Sequence, residues 1–119
     1  MEEKAVRWNK FIETVCYRDL STLSDIQKKA VLCFWYDAEM NSGGYSGYIS
    51  CYPDIDPNEL AEAILTIGYP EIADNYRKAV TEEERDDWEK TDDAYYNFSP
   101  SLADCLEEYV ENNKDVIFD

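Results

Sequence analysis

Ser24-Asp25-Ile26-Gln27-Lys28-Lys29-Ala30-Val31-Leu32-Cys33-Phe34-Trp35-Tyr36 is the stretch that decides the fold. Ser24 and Gln27 have the spacing of a capping box, in which the serine oxygen and the glutamine side chain each satisfy the other's backbone N–H. A helix therefore begins just after Ser24. Its run from Ala30 to Tyr36 is apolar on all sides, which marks a helix surrounded by others. Gly43-Gly44 ends it, because glycine adopts the left-handed backbone that closes helices. The spacing predicts a central apolar helix over about 25–41.

Working outward, the rest of the chain also reads as helix. Ala5, Trp8, Ile12 and Val15 recur at steps of three and four, widened by Phe11 and Cys16, and predict a helix over about 3–18. Tyr45, Tyr48 and Tyr52 share one side of a short helix after the glycines. Asp56 caps a fourth, with Pro57 at its first position and Leu60, Ala61, Ile64 and Leu65 inward. Gly68 ends it, and Pro70 opens a fifth with Ile72, Ala73, Tyr76 and Val80 inward. Thr81-Glu82-Glu83-Glu84 is a second capping box that introduces an acidic helical segment to about Asp93. Ser99-Pro100 caps the last helix, with Leu102, Leu106, Tyr109 and Val110 inward. No strand alternation persists. The expected architecture is all-α: one domain over 1–119, a compact bundle of about six or seven short helices around the central one.

The charge is lopsided. Residues 1–36 hold five acids against six bases, while residues 37–119 hold 22 acids against five bases, for a net charge of −16. Such a field repels nucleic acid and anionic membrane surfaces and attracts basic proteins. Glu82, Glu83, Glu84, Asp86, Asp87, Glu89, Asp92 and Asp93 place eight acids in twelve residues, with Arg85 and Lys90 between them. Twelve helical residues span about 18 Å, a length of duplex DNA that carries about ten phosphate charges. The acids approach that density without matching it. The C-terminal helix adds Asp104, Glu107, Glu108 and Glu111. A solvated face and a surface for a basic partner both fit this pattern.

The chain has no histidine, so a Ser or Cys nucleophile lacks its usual base. Cys16, Cys33, Cys51 and Cys105 form no CxxC pair and read as reduced, buried thiols. The acids do not fit an EF-hand, and no metal or other cofactor is expected. Asn41 to Tyr48 lacks the Gly-Lys-Ser/Thr end of a phosphate loop and reads as a helix end and tight turn. Stacking platforms for single strands need a cationic groove, which the few bases after residue 36 do not supply. Glu39, between the buried helix and the glycines, fits two roles: an acid–base group with a pKa raised by burial, or an acceptor that holds the turn. The first residues lack the basic-then-apolar pattern of a signal peptide, and a soluble cytoplasmic chain is the expectation.

Glu39-Met40-Asn41-Ser42-Gly43-Gly44-Tyr45 resembles the Glu-x-x-Asn-Gly-Gly-Phe/Tyr signature of the DNA-mimic-protein C-terminal-domain-like family, long carried as a domain of unknown function. Leu60 to Gly68 is similar to that family's ALEAL-x-x-IGA helix. Asp92-Asp93-Ala94-Tyr95-Tyr96, followed by Leu106-Glu107-Glu108-Tyr109-Val110, is similar to its ending. The resemblance implies an all-α fold, no known catalytic activity, and acidic side chains presented like DNA phosphates to a DNA-binding protein. The chain departs from the pattern at Ser42, at Gly47 and over Ser50-Cys51-Tyr52-Pro53.

The leading expectation is a non-enzymatic acidic module that blocks the basic groove of a DNA-binding protein or nuclease. Its contact residues would be Glu82, Glu83, Asp86, Asp87, Glu89 and Asp93, with Glu107 and Glu111. An immunity protein against a basic toxin is a close relative of that reading. The rivals are a carboxylate enzyme or metal-dependent hydrolase using Glu39, and a homodimer formed through the Tyr45, Tyr48 and Tyr52 face.

Overall fold

Ser24 Oγ accepts the Gln27 N–H at 3.2 Å, and Gln27 Oε1 accepts the Ser24 N–H at 2.9 Å, so the capping box forms as the sequence predicts. In the computed structural model, which describes residues 4–81 and 88–118, this box opens a helix over Asp25–Met40. The elements in order are α1 (Lys4–Thr14), two 3₁₀ turns (Val15–Tyr17 and Leu20–Thr22), α2 (Asp25–Met40), α3 (Gly44–Cys51), α4 (Pro57–Ile67), α5 (Pro70–Thr81), α6 (Glu89–Tyr96), α7 (Leu102–Asn112) and α8 (Lys114–Ile117). There is no strand among the described residues. The all-α bundle is as expected, with eight α-helices among the described residues rather than six or seven.

Helix α2 is the hub. It touches α3, α4, α7 and α8 and buries Ala30, Val31, Leu32, Cys33, Tyr36 and Met40. Gln27 is buried with it and donates to the Ile117 carbonyl at 3.0 Å, which ties the start of α2 to the C-terminal turn. Phe34 and Trp35 are only partly covered. Phe34 meets Trp8 and Phe11 of α1 edge-on, and Trp35 stacks on Tyr52 at 5.0 Å. Burying each large apolar side chain contributes about 1.5–3 kcal/mol, so the fully covered Phe11, Leu60, Ile64, Ile72, Leu102 and Leu106 hold α1, α4, α5 and α7 around α2.

Several boundaries and faces differ from expectation. Helix α1 ends at Thr14, where the Thr14 hydroxyl donates to the Lys10 carbonyl at 2.6 Å, and tightens into a 3₁₀ turn that still buries Val15 and Cys16. Leu65 is 47% exposed. It lies about 140° around the helix from Leu60, and Ala63 and Ile67 take the inward positions. Val80 is 38% exposed beside Pro57 and Tyr76, with Ala79 buried in its place. The cap of α7 is Ser101, not Ser99: its hydroxyl accepts the Asp104 N–H and the Asp104 carboxylate accepts the Ser101 N–H. Asp56 caps α4 as predicted, accepting the Asn58 N–H at 2.9 Å. The four cysteines are free, with Cys16 and Cys33 buried, Cys105 partly covered and Cys51 exposed.

The glycine turn and the acidic surface

The glycine turn is built from inside the protein. Asn41 closes α2 by donating its backbone and side-chain N–H groups to the Asp37 carbonyl at 3.1 and 2.8 Å. The Glu39 carbonyl then accepts from Ser42 and Gly43 at 3.0 and 2.9 Å. So it is the Glu39 backbone, rather than its side chain, that holds the turn. Gly44 sits at φ +71°, in left-handed backbone. The next N–H, that of Tyr45, donates to Asp92 Oδ1 at 2.9 Å. This carboxylate sits at the N-terminus of α3, where negative charge is favoured. A Cβ at Gly44 would lie 2.8 Å from Asp92 Cγ, so the carboxylate occupies the space that the glycine leaves.

Two neighbours of Asp92 complete the clamp. The Tyr96 hydroxyl donates to the Met40 carbonyl at 2.6 Å, and the Tyr95 hydroxyl donates to Asp37 Oδ1. The Glu39-to-Tyr45 and Asp92-to-Tyr96 motifs, far apart in sequence, are thus two halves of one structural joint. The Glu39 side chain is half-buried and lies alongside Gly47, where a Cβ would be 3.4 Å from Glu39 Oε1. No group of three or more Cys, Asp or Glu side chains among the described residues could hold a metal ion.

Burial raises the Asp37 pKa above the usual carboxylate range, against the opposing hydrogen bonds from Tyr95 and Asn41. The folded state therefore holds this proton more tightly than the unfolded chain, and Asp37 costs stability as pH rises through that range. Replacing Tyr95 with phenylalanine removes a hydrogen bond to a charged acceptor, at a cost of about 2 kcal/mol near neutral pH. The Asp37 pKa should climb further in this variant, and the stability gap should narrow toward the ~1 kcal/mol of a neutral hydrogen bond as Asp37 protonates. Urea melts across the acid range, with a carboxyl titration by NMR, check both statements. A gap that does not vary with pH would contradict them.

The tyrosine face is part of the core. Tyr45 and Tyr48 are 5% and 3% exposed. Tyr36 meets the rings of Tyr48, Tyr76 and Tyr95 edge-on at 5.1, 5.3 and 5.6 Å, and Tyr45 lies against Tyr48 and Tyr76. A dimer through Tyr45 and Tyr48 would require α3 to leave the bundle.

The acids divide by what they meet. The bases of the first third are largely spent inside the chain. Lys4 pairs with Glu108 at 3.1 Å, Lys28 with Glu59 at 3.0 Å and Lys29 with Asp25 at 2.9 Å. Arg7 grips Glu111 through two nitrogens, with Nε to Oε2 at 2.8 Å, and Lys10 lies over the Phe118 ring. The Arg7 guanidinium holds the Glu111 carboxyl below its usual range. Glu111, expected to face a partner, is thus committed to α1. Glu107 is partly exposed on α7, and Glu89 and Asp93 are exposed one turn apart on α6.

Glu82, Glu83, Asp86 and Asp87 lie outside the described residues. The acidic helix expected to run on to Asp93 is interrupted at Trp88, which has left-handed backbone at φ 59°, and α6 starts after it. The Trp88 indole N–H donates to the Ala79 carbonyl at 3.2 Å and its ring lies 5.1 Å from Tyr45, which anchors this turn. The sequence reading missed Glu62, Glu71 and Asp74, all exposed on α4 and α5. Their signal was present: each falls outside the apolar stripe of its helix.

Together these features define a class: an all-helical, strongly acidic protein in which four of the six cations of the first 36 residues are paired within the chain. A family model described as DMP19-like protein matches residues 21–113, and the chain belongs to that family. The matched span contains the glycine turn, α4 and the Asp92–Tyr96 segment, and leaves α1 outside. No curated protein and no solved structure matches the chain. No helix among the described residues is long and apolar enough to cross a membrane.

Proposed function

We propose that this protein is a non-enzymatic interaction module whose surface carboxylates occupy the basic groove of a DNA-binding protein or nuclease in place of DNA phosphates. The observation that carries the reading is the distribution of counter-charge. Lys4, Arg7, Lys28 and Lys29 are paired within the fold, so a net charge of −16 is expressed by the remaining surface. The contacts would come from Glu89, Asp93 and Glu107, from Glu82, Glu83, Asp86 and Asp87 earlier in the sequence, and from Glu62, Glu71 and Asp74. Such a field steers a cationic partner and raises its association rate.

The test begins with capture of partners on the immobilised protein at low salt, with release by a salt gradient. A captured protein is then assayed for DNA binding with and without this chain. Mutually exclusive binding is the expected result. A stable ternary complex of partner, DNA and this protein would overturn the reading. An immunity role predicts the same surface and differs only in that the captured protein is a toxic nuclease.

A further inference from the structure

Between the end of α4 and the exposed side of α7 lies an open groove of about 400 Å³. Its apolar lining comes from Ile67, Pro100, Cys105 and Tyr109, and its charged lining from Asp104 and Glu108. Asp104 and Glu108 are four residues apart, as are Cys105 and Tyr109, so α7 presents two carboxylates in line beside an apolar strip. No Lys or Arg is among the described residues that line it. The volume is in the range of sites that hold a small ligand or a few side chains.

We infer that this groove seats a lysine or arginine side chain of a basic protein partner, its methylene stem on the apolar lining and its cation against Asp104 and Glu108. The inference rests on the proposed function and adds the place where such a partner is anchored. A wholly apolar occupant would strip water from two carboxylates without replacing their hydrogen bonds. An anionic occupant would be repelled. Lysine and arginine have the required form, an apolar stem and a charged end, and a guanidinium can also stack on the Tyr109 ring.

The chain itself shows that a cation suits this rim: Lys4 Nζ lies 3.1 Å from Glu108 Oε2, with side chains 49% and 65% exposed. A pair that open to solvent is weak and exchanges readily. The cap on α7 uses one Asp104 oxygen, Oδ2 at 3.3 Å from the Ser101 nitrogen, and a carboxylate has room for further donors.

The probe is the hexapeptide acetyl-Ala-Arg-Ala-Ala-Arg-Ala-amide, titrated at low salt into the isotopically labelled protein and followed by amide NMR shifts. Its counterpart carries citrulline, neutral and of the same shape, at both arginines. The largest shifts are expected at Ile67, Cys105, Glu108 and Tyr109, with the citrulline peptide bound at least tenfold more weakly. The arginine peptide should also slow alkylation of Cys105 and leave the exposed Cys51 unaffected. This second readout needs no substitution in the fold. Shifts that gather around Glu62, Asp74 and Glu89 and spare the groove would overturn the inference and leave the basic-partner reading standing. Equal binding of the two peptides in the groove would also overturn it, since the occupant would then be apolar. Absence of shifts anywhere would contradict both.

Discussion

Gly44→Ala is expected to destabilise the protein by about 3–4 kcal/mol, combining about 1–2 kcal/mol of left-handed strain with the loss of a charged hydrogen bond worth about 1.5–3 kcal/mol. The backbone at Gly44 is at φ +71°, and its missing side chain leaves the space that the Asp92 carboxylate fills. A methyl group there pushes Asp92 off the Tyr45 N–H and uncaps α3. Domains of ordinary stability hold about 5–15 kcal/mol in total, so the variant should melt roughly 10–15 °C lower. The cause is separable by a double-mutant cycle. Once Asp92→Ala has emptied the space, adding Gly44→Ala should cost only the backbone strain, about half its effect in the wild-type background. Thermal and urea melts of the four proteins read this directly. A loss below about 1 kcal/mol for Gly44→Ala, well under the strain and capping terms together, would show that the clamp is not what fixes the turn.

Neutralising Glu62, Glu71, Asp74, Glu89 and Asp93 together, as Gln and Asn, is expected to weaken binding to a captured basic partner by a hundredfold or more. These side chains are exposed, and none of them is in a salt bridge among the described residues. Their removal lowers the self-repulsion of a chain with a net charge of −16. The variant should therefore be as stable as the wild type or more so while binding less. That opposition distinguishes a recognition role from solvation, because a merely solvated face would lose solubility without losing a partner. If each carboxylate stands in for a phosphate, each removal should lower the salt sensitivity of binding by about one ion. Unchanged affinity in the five-fold variant would remove these five carboxylates from the interface.

The fold was readable because its decisive signals are local. The capping box at Ser24 and Gln27, the apolar run from Ala30 to Tyr36 and the Asp56-Pro57 start are set by neighbours a turn away. The errors arose where distant residues decide. Trp88 breaks the acidic helix because its ring and indole N–H are bound by Tyr45 and Ala79, contacts that helical spacing alone does not reveal. Leu65 and Val80 read as inward by hydrophobicity, but the buried stripes of α4 and α5 have other candidates, including the small Ala63 and Ala79. The acidic surface was legible as charge, and only in part as geometry. Glu111 and Asp92 look like any other acid in the sequence, yet the first is held by Arg7 and the second caps α3. Conversely, the joint between Gly44 and Asp92 gives physical content to motifs that the sequence offered only as a resemblance.

The most direct test of the central claim is the affinity for a captured partner measured from about 50 to 400 mM salt. A surface that replaces DNA phosphates predicts a steep, linear fall of log affinity with log salt, with DNA competing for the partner throughout. Affinity that is flat across that range would contradict the account, because exposed carboxylates act on a partner only within a screening length of about 8 Å at physiological ionic strength.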